Sequence, residues 1–178
     1  MTDFISNSEH PGFQIKQATT FTEITQIRDL FTAYTSWLDL DLSFQGYEAE
    51  LASLPGVYKP PTGALLIATS TSSSSSLPEG SAIGCVALRP LKSTSPSKTC
   101  EMKRLYTVSE ARGLGVGKAL IDRVLEEARK LGYEEMVLDT LDAKMEGAVR
   151  LYGKFGFQRI EAYYDTPLEG TLFLGRKL

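Results

Sequence analysis

The chain has 178 residues, 42% apolar and 23% charged, and its 19 basic against 22 acidic side chains leave a formal charge of −3. That length corresponds to one globular unit at ~100–200 residues per domain, able to bury roughly 70% of its unfolded surface without help from disulfides or a structural metal. Lys and Arg are scattered rather than clustered, which excludes a nucleic-acid surface or an anionic-membrane surface.

Residues 1–12 are polar and aperiodic and read as a flexible N-terminus. They hold His10, the only histidine, which removes it from most catalytic schemes, and they carry Asp3 and Glu9 with no apolar h-region. The longest apolar runs, 64–68 and 82–88, fall far short of the ~20 residues that span a bilayer. We therefore expect no membrane helix, a cytoplasmic location, and a single domain over 13–178.

Residues 13–18 alternate as a half-buried strand. Ile24, Ile27, Leu30, Phe31, Tyr34 and Leu38 then recur at helical steps behind Thr20 and Thr22, either of which could cap, predicting a helix of about 16 residues. A shorter helix over 44–54 ends at Pro55-Gly56. Apolar strands follow at 63–69 and 81–88. The eight consecutive hydroxyl residues 69–76 between them read as part of a mobile hairpin loop, and 92–98 as a second flexible connection. A strand over 99–107, a glycine cluster, a helix over 116–131 stopped by Gly132, a strand over 135–140, a helix over 145–155 and closing strands over 157–160 and 171–177 complete the order. Cys85 and Cys100 lie in strand-type segments and match neither a redox pair nor a zinc site, so both read as buried thiols.

The sharpest chemical signal is Arg112-Gly113-Leu114-Gly115-Val116-Gly117-Lys118, set between a strand and an amphipathic helix. Alternate glycines let the backbone turn with its N–H groups facing one concavity, and the helix dipole adds about half a positive charge there. Such a turn binds phosphate. It is not a Walker A loop, because Arg112 and Ala119 stand where glycine and Ser or Thr are needed. Nor does G-x-G-x-G match the dinucleotide spacing G-x-G-x-x-G.

Together with Leu105-Tyr106 ahead of this turn and Leu151-Tyr152-Gly153-Lys154-Phe155-Gly156-Phe157 after it, the pattern over 100–157 resembles the GNAT superfamily of acyl-CoA-dependent N-acyltransferases. The resemblance implies a mixed α/β domain: a mostly antiparallel central sheet of about seven strands, splayed in the middle, with helices on both faces. It implies acetyl-CoA as acyl donor and no metal. The diphosphate would lie on the backbone of Arg112, Gly113, Leu114, Gly115, Val116, Gly117 and Lys118, with the pantetheine arm along Leu105, Tyr106 and Thr107. Met145 stands where many relatives place an Asn that helps orient that arm.

The implied reaction is attack of a primary amine on the thioester. Glu101, on the strand ahead of the turn, would take the amine proton directly or through water. Tyr152 would protonate the leaving thiolate, and backbone N–H groups of the splayed strand would steady the oxyanion. The acceptor would be a small-molecule amine walled by the first helices and the last loop. Those segments supply Trp37, Phe44, Tyr163 and Tyr164 as candidates, with Tyr34, Tyr47, Asp39, Asp41 and Asp165 beside them. The resemblance allows a homodimer through the last strands. Two alternatives stay open: a CoA-binding sensor without catalysis, and an acetyltransferase acting on a protein or peptide.

Overall fold

The computed structural model describes residues 8–39, 46–72, 76–91, 98–141 and 145–178. Within them the apolar and alternating runs form one sheet of eight strands: β1 (Ser8–His10), β2 (Phe13–Gln17), β3 (Ala64–Ser70), β4 (Ala82–Pro90), β5 (Thr99–Thr107), β6 (Glu135–Leu141), β7 (Gln158–Arg159) and β8 (Thr171–Lys177). Their order is β1-β2-β3-β4-β5-β6-β8-β7. Every neighbouring pair is antiparallel except β5 with β6, whose connection runs through a helix as a parallel crossover requires. The strand beyond those read from sequence is β1, which pairs with β2 and stacks His10 on Phe13 at 4.7 Å between ring centroids.

The helices among the described residues are α1 (Phe21–Leu38), α2 (Tyr47–Ser53), α3 (Val116–Lys130) and α4 (Glu146–Lys154). Thr20 starts α1 through a reciprocal cap: its hydroxyl accepts the Glu23 amide at 3.3 Å, and the Glu23 carboxylate accepts the Thr20 amide at 2.9 Å. Residues 44 and 45 of the expected second helix lie outside the described residues.

Helices cover both faces of the sheet, so the central strands read as continuous apolar runs. Leu65, Ile67, Cys85 and Ala87 meet Ile27, Leu30 and Phe31 of α1, while Leu66, Val86 and Leu88 meet Leu120, Ile121 and Val124 of α3. On the second face α3 packs so close that a Cβ at Gly84 would lie 3.1 Å from both Val116 and Leu120. Cys85 and Cys100 are buried free thiols.

The expected loop over 69–76 is corrected at its start. Thr69 and Ser70 finish β3, paired with Gln14 and Phe13, and both are buried. The Ser70 hydroxyl is buried without loss because it donates to the Ser72 carbonyl at 2.8 Å. Residues 73–75 and 92–97 lie outside the described residues.

The strand that matters most for function is irregular. Cys85 faces Tyr106 but Ala87 faces Lys103, so β5 carries an extra residue opposite Val86, a β-bulge. Arg104 sits there at φ 57°, a left-handed conformation uncommon outside glycine. The bulge resets the alternation. Lys103 lies opposite Ala87 of the α1-side core, yet Arg104, the next residue, also turns to that side and lies over the Tyr47 ring of α2. Leu105 then packs with the α3-side core and Tyr106 with the other.

Candidate active site

The glycine-rich turn has the geometry of an anion cradle. Gly113 and Gly115 adopt φ of +85° and +81°, and nothing lies within 4 Å of where their Cβ atoms would stand. Gly115 is also the N-cap of α3, which has no side-chain cap bond and no acidic residue in its first turn. The amides of Val116, Gly117 and Lys118 thus open on the positive end of the helix. The amides of Arg112 and Leu114 are used within the turn, donating to Ser109 and Ala111 carbonyls. Leu114 is 55% exposed and its side chain does not line the cleft.

That cleft, about 640 Å³, is walled by the turn on one side and by Leu105, Tyr106 and Thr107 on another. The structure therefore brings the two halves of the expected cofactor site together. Thr107 Oγ1 would lie 3.6 Å from a Cβ on Gly117. Trp37 lines this cleft, its ring 5.6 Å from the Arg112 guanidinium.

Beyond the cleft the sheet opens. β5 and β6 pair only at Thr99–Glu135, Cys100–Met136 and Glu101–Val137, whereas β6 stays paired with β8 to Leu141. The gap lies between β5 and β6, in the middle of the sheet, where the resemblance implies a splay. It holds a cavity of about 50 Å³ lined by Leu105, Asp139, Thr140 and Tyr152, among others. Tyr34, Leu105 and Met145 line both this cavity and the cleft, so the two adjoin across shared walls.

Tyr152 is 4% exposed and meets Phe157 edge-on at 5.9 Å. Burial, with the neighbouring Tyr34 and Asp139 adding to it, pushes its phenol well above the ordinary range. It therefore keeps its proton at neutral pH. Glu101 is also buried, but its carboxylate is surrounded: Arg89 donates from Nε and Nη2 at 2.7 Å each, Tyr163 donates its hydroxyl at 3.0 Å, and Lys103 Nζ stands at 3.6 Å. Glu101 does not line the Tyr152 cavity.

The carboxylate that does reach the cavity is Asp139. Lys103 donates to it at 2.7 Å, and the Tyr164 hydroxyl lies beside it. Burial would raise the Asp139 carboxyl, but the Lys103 charge and hydrogen bond outweigh that and hold it below the usual range. An acid directly after the apolar run Met136-Val137-Leu138, in the same strand, was the available signal for Asp139 in the sequence. Tyr163 and Tyr164 pack on Phe173 at 5.1 and 5.2 Å, and neither lines the gap cavity. Tyr47 belongs to the core under Arg104. Phe44 and Asp41 lie outside the described residues.

A second ion pair was also missed. Arg104 donates from Nε and Nη2 to Glu50 of α2 at 3.0 and 2.7 Å, and Tyr58 donates to the same carboxylate at 2.8 Å.

Residues 25–157 match the acetyltransferase (GNAT) family. The chain is 38% identical to an uncharacterized N-acetyltransferase of Schizosaccharomyces pombe, over 85% of this chain and 86% of the yeast protein. Its fold is shared with an acetyltransferase of the GNAT family from Staphylococcus aureus, at a TM-score of 0.71 and 18% identity over 93% of this chain and 98% of that one. A chain of the NatC complex bound to Gag peptide and CoA superposes with a TM-score of 0.68 and 21% identity, over 94% and 99%.

Proposed function

The chain belongs to the GNAT family of acetyltransferases, and we propose that it transfers the acetyl group of acetyl-CoA to a primary amine of a small molecule by direct attack. The observation that carries this reading is the adjacency of the two cavities: an anion cradle at one end, Tyr152 at the other, and the unpaired edge of β5 between them.

The amides of Val116, Gly117 and Lys118, with the Arg112 side chain, would hold the diphosphate, and Leu105, Tyr106 and Thr107 would pair with the amide-bearing arm. Acetyl-CoA supplies an activated acetyl whose C–S bond is exchanged for a C–N bond to the acceptor. On the α1 side of the gap Asp139 takes the proton that the attacking nitrogen must lose. Glu101 stands one Lys103 ammonium behind Asp139, so the two carboxylates share that cation. Backbone N–H groups of β5 steady the negative charge on the carbonyl oxygen. Tyr152 returns a proton to the departing sulfur, a thiolate whose parent thiol has a pKa around ~8.5 judged by cysteine. The net proton count closes, one lost by the amine and one gained by the thiol.

Replacing Tyr152 by Phe removes that donor and leaves the ring in place. Thiol release in a screen of amines with acetyl-CoA should fall about 10- to 1000-fold, with acetyl-CoA affinity nearly unchanged by calorimetry. Unaltered turnover would remove Tyr152 from the mechanism. The likeness to a peptide-bound NatC chain favours a second reading, an amine at the end of a peptide, and competition between peptides and small amines decides between them.

A further inference from the structure

The left-handed residue in β5 lies between the two cavities and is gripped from outside its own strand. Arg104 has no glycine-like freedom, yet it holds φ 57° in the bulge that decides which sides of Leu105, Tyr106 and Thr107 face the cleft. Without the extra residue, strand alternation would put Leu105 on the α1 side and turn Thr107 away from Gly117. A backbone held in a sparsely populated region persists only when its surroundings over-determine it.

Those surroundings come from three other elements of the fold. The Arg104 side chain is 3% exposed and the Glu50 side chain 9%, joined by two hydrogen bonds. The Tyr47 ring lies 5.3 Å from the guanidinium, so α2 contributes both the carboxylate and the ring. Tyr58 fixes the carboxylate from behind. On the backbone side, the buried Cys85 thiol donates to the Arg104 carbonyl at 3.4 Å. Arg104 lines the gap cavity with its strand, but its charge is already met by Glu50.

The geometry points to Glu50 as a positioning residue: through Arg104 it holds the β5 bulge, and with it the edge that receives the cofactor arm. This rests on the acetyl-CoA reading above. It makes α2, on the acceptor side of the sheet, part of the apparatus that sets acetyl-CoA affinity.

The test separates the backbone from the charge. Glu50→Ala leaves Arg104 buried, unpaired and strained, so fewer molecules have the bulge formed before binding, and apparent affinity falls with that fraction. The dissociation constant for acetyl-CoA, by calorimetry on folded protein, should rise about tenfold. Adding Arg104→Gly removes the stranded charge and supplies a residue that takes positive φ freely, and affinity should return to within about threefold of the wild type. Adding Arg104→Ala removes the same charge but not the strain, and the loss should remain about tenfold. The isosteric Glu50→Gln, which should also weaken affinity, takes the place of Glu50→Ala should that variant fail to fold. Equal recovery with Gly and Ala, or a Glu50 variant that binds acetyl-CoA like the wild type, overturns the inference. A wild type that binds no acetyl-CoA overturns the functional reading itself, and the clamp with it.

Discussion

Glu101 is buried and Asp139 half-buried, both are joined to Lys103, at 3.6 and 2.7 Å, and they differ in what else surrounds them. Glu101 is saturated by Arg89 and Tyr163, whereas Asp139 opens on the cavity that Tyr152 also lines. A base must be ionised and within reach of the proton, directly or through one water. Asp139 meets the first condition because Lys103 more than offsets the effect of burial, and the second because of where it stands. Asp139→Asn should therefore lower kcat about 100-fold or more with acetyl-CoA affinity kept, while Glu101→Gln should cost about tenfold or less. Steady-state rates against the best amine of the screen measure both, and the reverse order would give the proton to Glu101. In the sequence, Glu101 stood out because it precedes a recognised motif. Asp139 and Lys103 come from strands that meet only in the folded sheet, and no local spacing connects residues 103 and 139.

At the level of elements, the cradle and α3 are one unit. Gly115 ends the turn and caps the helix, so a side chain there meets two separate penalties: the left-handed φ and the loss of space for an anion. Gly115→Ala should destabilise the fold by about 1 kcal/mol through backbone conformation alone. Gly115→Glu adds a negative charge at the helix N-terminus and should abolish acetyl-CoA binding in calorimetry while the protein still unfolds cooperatively. Retained binding in a folded Gly115→Glu protein would mean the turn is not the phosphate site. This element was legible in the sequence because a glycine turn and the helix behind it are contiguous, as were the strands over 64–68 and 99–107, whose apolar or alternating runs need no partner to be seen. The bulge in β5 was not. Strict alternation places Lys103 and Arg104 on opposite faces, and only the cross-strand register and the pull of Glu50 turn both to one side.

Across the whole molecule, ionised and neutral groups are locked into the fold at places far apart. Glu23 ties β2 to α1 through Lys16, Glu50 ties α2 to β5, and Asp139 ties β6 to β5. For Glu23, burial is outweighed by Lys16 and the Thr19 and Thr20 amides, and its carboxyl falls to about 2; Glu50 and Asp139 shift down in the same way, against burial, through Arg104 and Lys103. A depressed carboxyl gives stability that is present above its unfolded value of ~4 and is lost as pH falls through the folded value, because the unfolded chain takes the proton first. The buried and half-buried phenols work in the opposite direction. Burial raises Tyr34 to about 12, and Tyr58, Tyr152 and Tyr163 also shift upward. Their contribution is complete below the unfolded value of ~10 and is lost as pH rises past it, because the unfolded chain gives up its proton first. Urea midpoints should therefore form a plateau between about pH 6 and pH 9.5, fall from about pH 5 toward pH 2, and fall again above about pH 10. Tyr34→Phe should make the alkaline limb shallower, the other raised phenols remaining, and leave the acid limb alone, since only one phenol is removed. A midpoint constant down to pH 3 would show that the three carboxylates are not held ionised by the fold, and the base assigned to Asp139 would lose its footing with them.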